Sequence, residues 1–226
     1  MRLEFIDGLR IIIIALLAYV PTVTISGWFE AWVAKKSGDD VPEQFGFLTL
    51  DPIVHFNVVG FAILLIGQLF GEYLPFFKDL PGWGRYIPLN PSEASRGKIL
   101  LEFTARAIAH FVMLLISFFI LVGLMKTAYL QSAGNIIQTN SSIIQSISSV
   151  LLFFYRQNFM LCIIYSVIGL FRALLFYYFP QFHLFSSQHI ISALLLLILF
   201  VIIGSQIFEA LLSSLMALLS YLLMVQ

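Results

Sequence analysis

The chain lacks the features of a disulfide-bonded or nucleic-acid-binding protein. Its 226 residues include a single cysteine, Cys162, which excludes an internal disulfide framework. Only 11% of the residues are charged, and the 12 basic and 12 acidic side chains give a formal net charge of zero. There is no basic block for nucleic acid and no acidic tail. No serine or cysteine stands at a motif spacing from a histidine, and no small-molecule substrate is indicated.

Apolar residues dominate the composition. They make up 60% of the chain, the mean hydropathy is +0.97, and several runs reach the roughly 20 residues that cross a lipid bilayer. The sequence therefore predicts an all-α polytopic membrane protein, embedded in the lipid bilayer as one domain over 1–226. Five to six transmembrane helices are expected, because the last apolar stretch forms either two helices or one long tilted helix. The predicted spans are 9–36, 53–71, 98–126, 150–178, 188–204 and 206–225.

The first helix and the segment after it have distinct patterns. The apolar run from Ile11 is too long for the core of a signal peptide, so 9–36 is predicted to be an uncleaved helix with a kink at Pro21. Residues 44–50, QFGFLTL, alternate in a way that favours a short β-strand. A structural turn between two helices is the other interpretation of this segment.

The third predicted helix carries three ionisable residues at helical spacing. Glu102, Arg106 and His110 stand at i, i+4 and i+8, which places them on one face. A charge at the bilayer centre costs roughly 2.5–3.5 kcal/mol on insertion scales, so such residues face the bundle interior and find partners there.

The distribution of basic residues predicts an orientation. Counting crossings from the N-terminus assigns more lysine and arginine to the N-terminal side, which the positive-inside rule places in the cytoplasm. The residues assigned to that side are Arg2, Arg10, Lys78, Arg85, Arg96 and Lys98. The opposite side receives Lys35, Lys36 and Lys126.

Two blocks of sequence resemble a known family. Residues 26–60 and GWGRYIPLNP at 82–91 are similar to segments of the short bacterial branch of the site-2 proteases, which are intramembrane zinc metalloproteases. In that family HExxH is followed by G-D, a strand reading GRLTLNP, HxDPxG and later GWAKPVPVNP. The resemblance implies a site-2 protease-like core in a bacterial inner membrane or an organelle membrane of bacterial origin. The matched positions in the first block are Ala31, Ala34, Gly38, Asp39, Gly46, Leu48, Thr49, Leu50, Pro52, His55 and Gly60.

The zinc residues of the family are replaced. The same register puts Ser26, Gly27 and Glu30 at the first zinc histidine, the general base and the second zinc histidine. A histidine pair at i, i+4 offers two imidazoles to one metal, and the intervening glutamate activates the bound water. The third ligand, an aspartate in the family, falls on Leu174 in a match supported by hydrophobicity alone. We therefore expect no zinc, no other cofactor and no catalytic residue.

The resemblance without its zinc residues predicts a pseudoprotease. Such a protein would act as a scaffold, a complex subunit or a binder of transmembrane segments, in a stable complex with other membrane proteins. The alternative is a divergent zinc metalloprotease with residual activity, for which Glu30, His55 and His110 are the candidate ligands although they lack ligand-pair spacing. Partner docking is predicted at the strand and the second block, on Phe45, Phe47, Thr49, Trp83 and Tyr86.

The resemblance also predicts what fills the vacated metal site. The family's first, third and fourth helices converge there, so Glu30 is expected to pair with Arg106 or Arg172. Glu102 and His110 would complete this intramembrane polar network. The alternative is that Glu30 snorkels to the membrane interface near Lys35.

Overall fold

The computed structural model describes residues 2–74, 80–90, 95–133 and 141–178, together with 210, 213 and 214. Within these residues the fold is helical. Three helices are long and three are short. They are α1 (Arg2–Ser37), α2 (Val41–Gln44), α3 (Pro52–His55), α4 (Val58–Phe70), α5 (Arg96–Ala133) and α6 (Ser141–Tyr178).

Three of these helices are long and apolar enough to cross a membrane. The candidate spans are Ile6–Ser37, Arg96–Leu124 and Ile144–Tyr178, and they make the chain an integral membrane protein. Neighbouring helices run antiparallel, since Lys98 near the start of α5 reaches the carbonyl of Ser37 at the end of α1. The predicted helix at 188–204 lies outside the described residues, and of the predicted helix at 206–225 only 210, 213 and 214 are described.

Small residues allow the long helices to approach closely. Ala15, Ala18, Ala31 and Ala34 are fully buried along α1, as expected where helices pack inside a membrane. At Gly169 of α6 a Cβ atom would overlap the backbone of α5. The bundle of α1, α5 and α6 is therefore packed backbone to backbone, and it forms the frame of the site. Helix α1 continues through Pro21.

The predicted strand at 44–50 is wrong. The part of the chain that the structure describes contains no strand, and this segment follows α2 as a turn. Gly46 adopts φ = +78°, which glycine reaches without strain. The amides of Gly46 and Phe47 bond back to carbonyls within α2, so no partner strand is needed for them. The alternation instead reflects the burial of Phe47, which packs against Ala31 and Ala34.

The region predicted as one helix over 53–71 is divided. Phe56 and Asn57 are extended between α3 and α4, and the side-chain oxygen of Asn57 caps α4 by accepting from the amide of Gly60 at 2.9 Å. The 13 residues of α4 extend about 20 Å, which is less than the roughly 30 Å hydrocarbon core. Helices α5 and α6 extend beyond the predicted spans 98–126 and 150–178, because α5 continues to Ala133 and α6 begins at Ser141.

Residues 41–70 run back along α1, and residues 80–90 return beside it in an extended conformation. Within residues 41–70, Leu64 of α4 packs with Ala15 and Tyr19 of α1. The return segment, defined as residues 80–90, begins beside Tyr19 and reaches Asp39, whose carboxylate accepts from the amide of Asn90. An extended chain therefore lies inside the helical frame at membrane depth.

The course of the return segment changes the assignment of basic residues to the two sides of the membrane. Lys98 contacts Ser37, so the start of α5 lies at the Lys35 end of α1 and not at the Arg10 end. Counting α4 as a crossing, without the return segment, had placed Arg96 and Lys98 with the N-terminus. The charge count behind a cytoplasmic N-terminus is therefore wrong for these two residues.

Candidate polar site within the membrane

A buried ion pair joins α1 to α5. Nε of Arg106 lies 2.6 Å from Oε2 of Glu30, and both side chains are at most 6% exposed. Two further bonds hold the guanidinium, from Nη2 to the carbonyl of Arg85 at 3.1 Å and from Nη1 to the hydroxyl of Tyr165 at 3.2 Å. Arg106 therefore links three parts of the fold through its planar fork: α1, the return segment and α6.

The side chain of His55 packs against α1 at Gly27. A Cβ atom on Gly27 would overlap Nδ1 of His55, so only glycine leaves room for the imidazole there. Nε2 of His55 donates to the carbonyl of Thr49 at 2.7 Å, because a carbonyl can only accept. Burial lowers the pKa of His55, which favours the neutral ring. The imidazole thus fills the place where a side chain at position 27 would begin.

The other residues that the resemblance assigns to zinc positions do not converge. The hydroxyl of Ser26 bonds within its own helix to the carbonyl of Val23 at 3.4 Å. Leu174 is 56% exposed on α6 and does not line the site. Across the described ranges, no group of three or more histidine, cysteine, aspartate or glutamate side chains could hold a metal ion. These residues do not fit the four-ligand zinc site of a metalloprotease.

His110 belongs to a chain of hydrogen bonds across the bundle. Its Nδ1 lies 2.9 Å from Oδ1 of Asn158, whose amide nitrogen in turn donates to Oγ1 of Thr22 at 3.1 Å. The hydroxyl of Thr22 donates to the carbonyl of Ala18. Because the amide oxygen of Asn158 can only accept, Nδ1 of His110 must carry the proton of this hydrogen bond. His110 is therefore tied to α1 and α6, and its ring also stacks on that of Tyr165, whose hydroxyl accepts from Arg106.

The other predicted network residues have different neighbours. Arg172 lies over the rings of Phe103 and Tyr86, with its Cζ 4.6 and 5.6 Å from their centroids. Arg106, not Arg172, makes the ion pair with Glu30. Glu102 is fully buried and adjacent to the carboxyl group of Asp39. Glu102, Arg106 and His110 thus have different immediate partners, and the single network stays a prediction.

The return segment explains why so many polar groups lie inside the bundle. Backbone without secondary structure at membrane depth must find hydrogen-bond partners within the protein. The hydroxyl of Tyr19 donates to the carbonyl of Trp83 at 2.8 Å, and the amide of Gln157 donates to the carbonyl of Gly82 at 2.7 Å. The amide of Arg85 donates to the carbonyl of His55 at 2.8 Å. The buried polar side chains thus replace the hydrogen bonds that a helix would supply.

Sequence reasoning missed several of these partners. Gln157 and Asn158 are two adjacent amides in an otherwise apolar helix, and both are almost fully buried. Such a pair inside a membrane span is the signal that could have identified them. Tyr19 and Tyr165 gave no comparable signal, because tyrosine is frequent in apolar helices at membrane boundaries.

The predicted docking residues are only partly at the surface. Phe45 and Tyr86 are 67% and 36% exposed, whereas Phe47 is 6% exposed and belongs to the core. Thr49 and Trp83 are half-buried. The exposed residues lie on the turn after α2 and on the return segment, and these remain the candidate contact points.

A comparison with curated proteins finds a bacterial relative. The chain is 30% identical over 95 residues to the protein named "Putative zinc metalloprotease YwhC" of Bacillus subtilis (strain 168). The aligned part is 41% of this chain and 38% of the relative, so the chain spans less than two-fifths of that protein's length. No protein-family profile and no solved structure matches the chain. The chain is therefore similar to part of a protein named as a zinc metalloprotease, and the similarity does not extend over that whole protein.

Proposed function

We propose that this chain is a catalytically inactive, site-2 protease-like protein of a bacterial inner membrane or an organelle membrane of bacterial origin, and that it acts as a scaffold for other membrane proteins. The two blocks at 26–60 and 82–91 and the similarity to YwhC support the relationship. The three candidate spans support its location in the bilayer.

The observation that carries the proposal is what surrounds the metal-motif positions. The Glu30 carboxylate is paired with Arg106, and the imidazole of His55 covers the backbone of Gly27. A zinc ion would need the carboxylate to leave the guanidinium, which would leave the buried charge of Arg106 without its anionic partner. A base at position 27 would need His55 to move. Both changes oppose metal-dependent hydrolysis at this site.

A scaffold role is supported by what the matched blocks build. Gly38 follows the end of α1 with a positive φ, and Asp39 accepts from the amide of Asn90 in the return segment. GWGRYIPLNP supplies most of that segment. These blocks hold the exposed Phe45 and Tyr86 beside the frame. In the competing interpretation the same blocks only stabilise the fold and bind no partner.

Metal content and proteolysis test the loss of chemistry. The full chain, purified in mild detergent, should contain no stoichiometric zinc and should leave membrane-protein substrates uncleaved. A metalloprotease with an intact HExxH motif, purified in parallel, controls for metal lost during purification. One zinc per chain that disappears in Glu30→Ala or His110→Ala would overturn the proposal in favour of a divergent metalloprotease. The absence of zinc stays a prediction until then.

Site-specific crosslinking tests the scaffold. A photoreactive residue at Phe45 or Tyr86 should give a discrete crosslinked complex in native membranes. The same probe at Phe119 is the control, because that side chain is 68% exposed but lies on α5, away from the matched blocks. Uncrosslinked monomer from all three positions would contradict the scaffold role.

A further inference from the structure

A cavity of about 630 Å³ opens beside α1, α3, α4 and the return segment. Its walls are mostly branched or aromatic side chains with one cation among them. They are Val20, Pro52, Ile53, Phe56, Asn57, Val58, Val59 and Arg85. The volume falls in the range of about 300–1,000 Å³ that is usual for binding pockets.

The cavity lies at membrane depth. The amide of Arg85 bonds to the carbonyl of His55, whose ring packs on Gly27. Gly27 is about 12 Å along α1 from Lys35, and Val20 is about 22 Å from Lys35 at the helical rise per residue. Val20 is also about 15 Å from Arg10 on the other side, so the cavity reaches the middle of the apolar run.

Arg85 has no anionic partner within the described ranges. Its side chain is exposed, and it takes part in none of the ion pairs found among these residues, such as those of Arg106 and Lys35. Its backbone, in contrast, is held on both sides by His55 and Arg106. An arginine whose backbone is held at this depth is costly unless an anion meets its guanidinium. Arg85 is thus the cation among the mostly apolar residues that line the cavity.

We propose that the cavity binds a transmembrane helix of a partner protein that carries a carboxylate side chain near its middle, and that this carboxylate pairs with Arg85. The inference rests on the proposed scaffold function and names the chemistry of its partner. Ile53, Val58 and Val59 are 80%, 74% and 62% exposed and offer an aliphatic surface to the sides of such a helix. An anionic lipid fits less well, because lipid headgroups stay at the interface whereas a helix can carry a carboxylate to any depth.

The experiment uses the full chain in phosphatidylcholine vesicles and a labelled synthetic helix of leucine and alanine. One form of the helix has a central aspartate and the other a central leucine. Binding is measured by energy transfer to the chain. The aspartate helix should bind about 10-fold more tightly, which corresponds to about 1.4 kcal/mol. Arg85→Leu should abolish the preference, and Lys36→Leu, an exposed cation at the end of α1, should keep it.

A charge exchange guards against a folding defect in the variant. Arg85→Glu should bind a helix with a central lysine more tightly than the aspartate helix, which a misfolded chain would not do. Equal binding of the aspartate and leucine helices to the native chain would overturn the proposal. A preference that survives Arg85→Leu would do the same. Arg85-dependent binding of labelled phosphatidylglycerol without any helix preference would assign the cavity to lipid instead.

The outcomes separate the inference from the proposed function. If Phe45 and Tyr86 crosslink to a partner while the aspartate helix shows no preference, the scaffold stands and the cavity inference fails. If the chain contains stoichiometric zinc and cleaves substrate, the inactive scaffold fails whatever the helix does.

Discussion

Helix α1 carries two groups of ion pairs that differ in burial. Lys35 lies 2.8 Å from Asp40 and also contacts Glu43, and all three side chains are 39–58% exposed. Five residues earlier, Glu30 pairs with Arg106 in side chains that are 5–6% exposed. Water and salt screen the first group, whereas little screens the second.

The difference shows that similar ion pairs on one helix have different consequences. The Lys35 group gathers charge at the end of a membrane span, where water already solvates each partner. The Glu30–Arg106 pair is enclosed, so each charge depends on the other, and Arg106 also holds the carbonyl of Arg85. Removing one member of the buried pair strands a charge, while removing an exposed member leaves its partner in water.

The largest effect is expected from breaking the buried pair. Glu30→Leu and Arg106→Leu should each lower the free energy of unfolding by about 3–5 kcal/mol, because the remaining charge is buried without a partner. The double variant should recover much of the loss but not all, since the carbonyl of Arg85 stays unpaired. Thermal unfolding in detergent measures this cycle. Strict additivity of the two single losses would show that the groups do not interact.

A smaller loss is expected from filling the space above Gly27. Gly27→Ala should destabilise the chain by about 1–3 kcal/mol, because its Cβ overlaps the ring of His55. Adding His55→Ala should remove part of that loss. Gly123→Ala is the matched control, since nothing lies within 4 Å of a Cβ there. Equal melting temperatures for the two alanine variants would refute the packing described for His55.

The bonds to the return segment are expected to contribute less than the ion pair but to act locally. Gln157→Leu leaves the carbonyl of Gly82 without its donor, at a cost of about 1–3 kcal/mol. Hydrogen exchange of the amides in 82–90 should accelerate more than that in α5. Uniform acceleration across the chain would mean that Gln157 supports the whole bundle and not this segment.

The pH dependence of His55 should be modest and have a fixed sign. Burial lowers its pKa in the folded chain below the ordinary value of about 6.5, so the unfolded chain binds the proton first as pH falls. Its contribution to stability is therefore present above about pH 6.5 and is lost as pH falls towards the folded pKa. The melting temperature of His55→Gln should fall less steeply in that window. Parallel curves would indicate that other groups dominate.

The smallest effect is expected at the exposed group. Lys35→Ala should leave the melting temperature nearly unchanged, and added salt should reduce whatever difference exists. The same salt titration should leave the loss in Arg106→Leu almost intact. A loss in Lys35→Ala as large as that in Arg106→Leu would mean that burial does not separate the two groups.

The sequence was informative where one physical effect dominates. Long apolar runs predicted α1, α5 and α6, because the hydrophobic length of a span leaves few other structures. The strand at 44–50 failed because alternation records which side chains are buried, not where backbone amides find acceptors. In this turn the amide of Phe47 finds its acceptor within α2.

The return segment was harder to foresee, and this affected the site and the orientation. Residues 82–90 contain two glycines, a proline and an arginine, so hydropathy gives no sign that they pass through the bundle. Their route depends on donors from distant elements, such as Tyr19 and Gln157, which only the folded chain brings together. Spacing placed Glu102, Arg106 and His110 on one face, but it could not assign their separate partners.

The contact between Gly27 and His55 has a consequence for how such a chain can evolve. A glutamate at position 27 would first require the imidazole of His55 to vacate its place. Moving the imidazole first would break its bond to Thr49 and leave a hole against α1. Each single step is therefore disfavoured, and the two must occur together. The packing of His55 against Gly27 thus opposes the appearance of a carboxylate at position 27 by single substitutions.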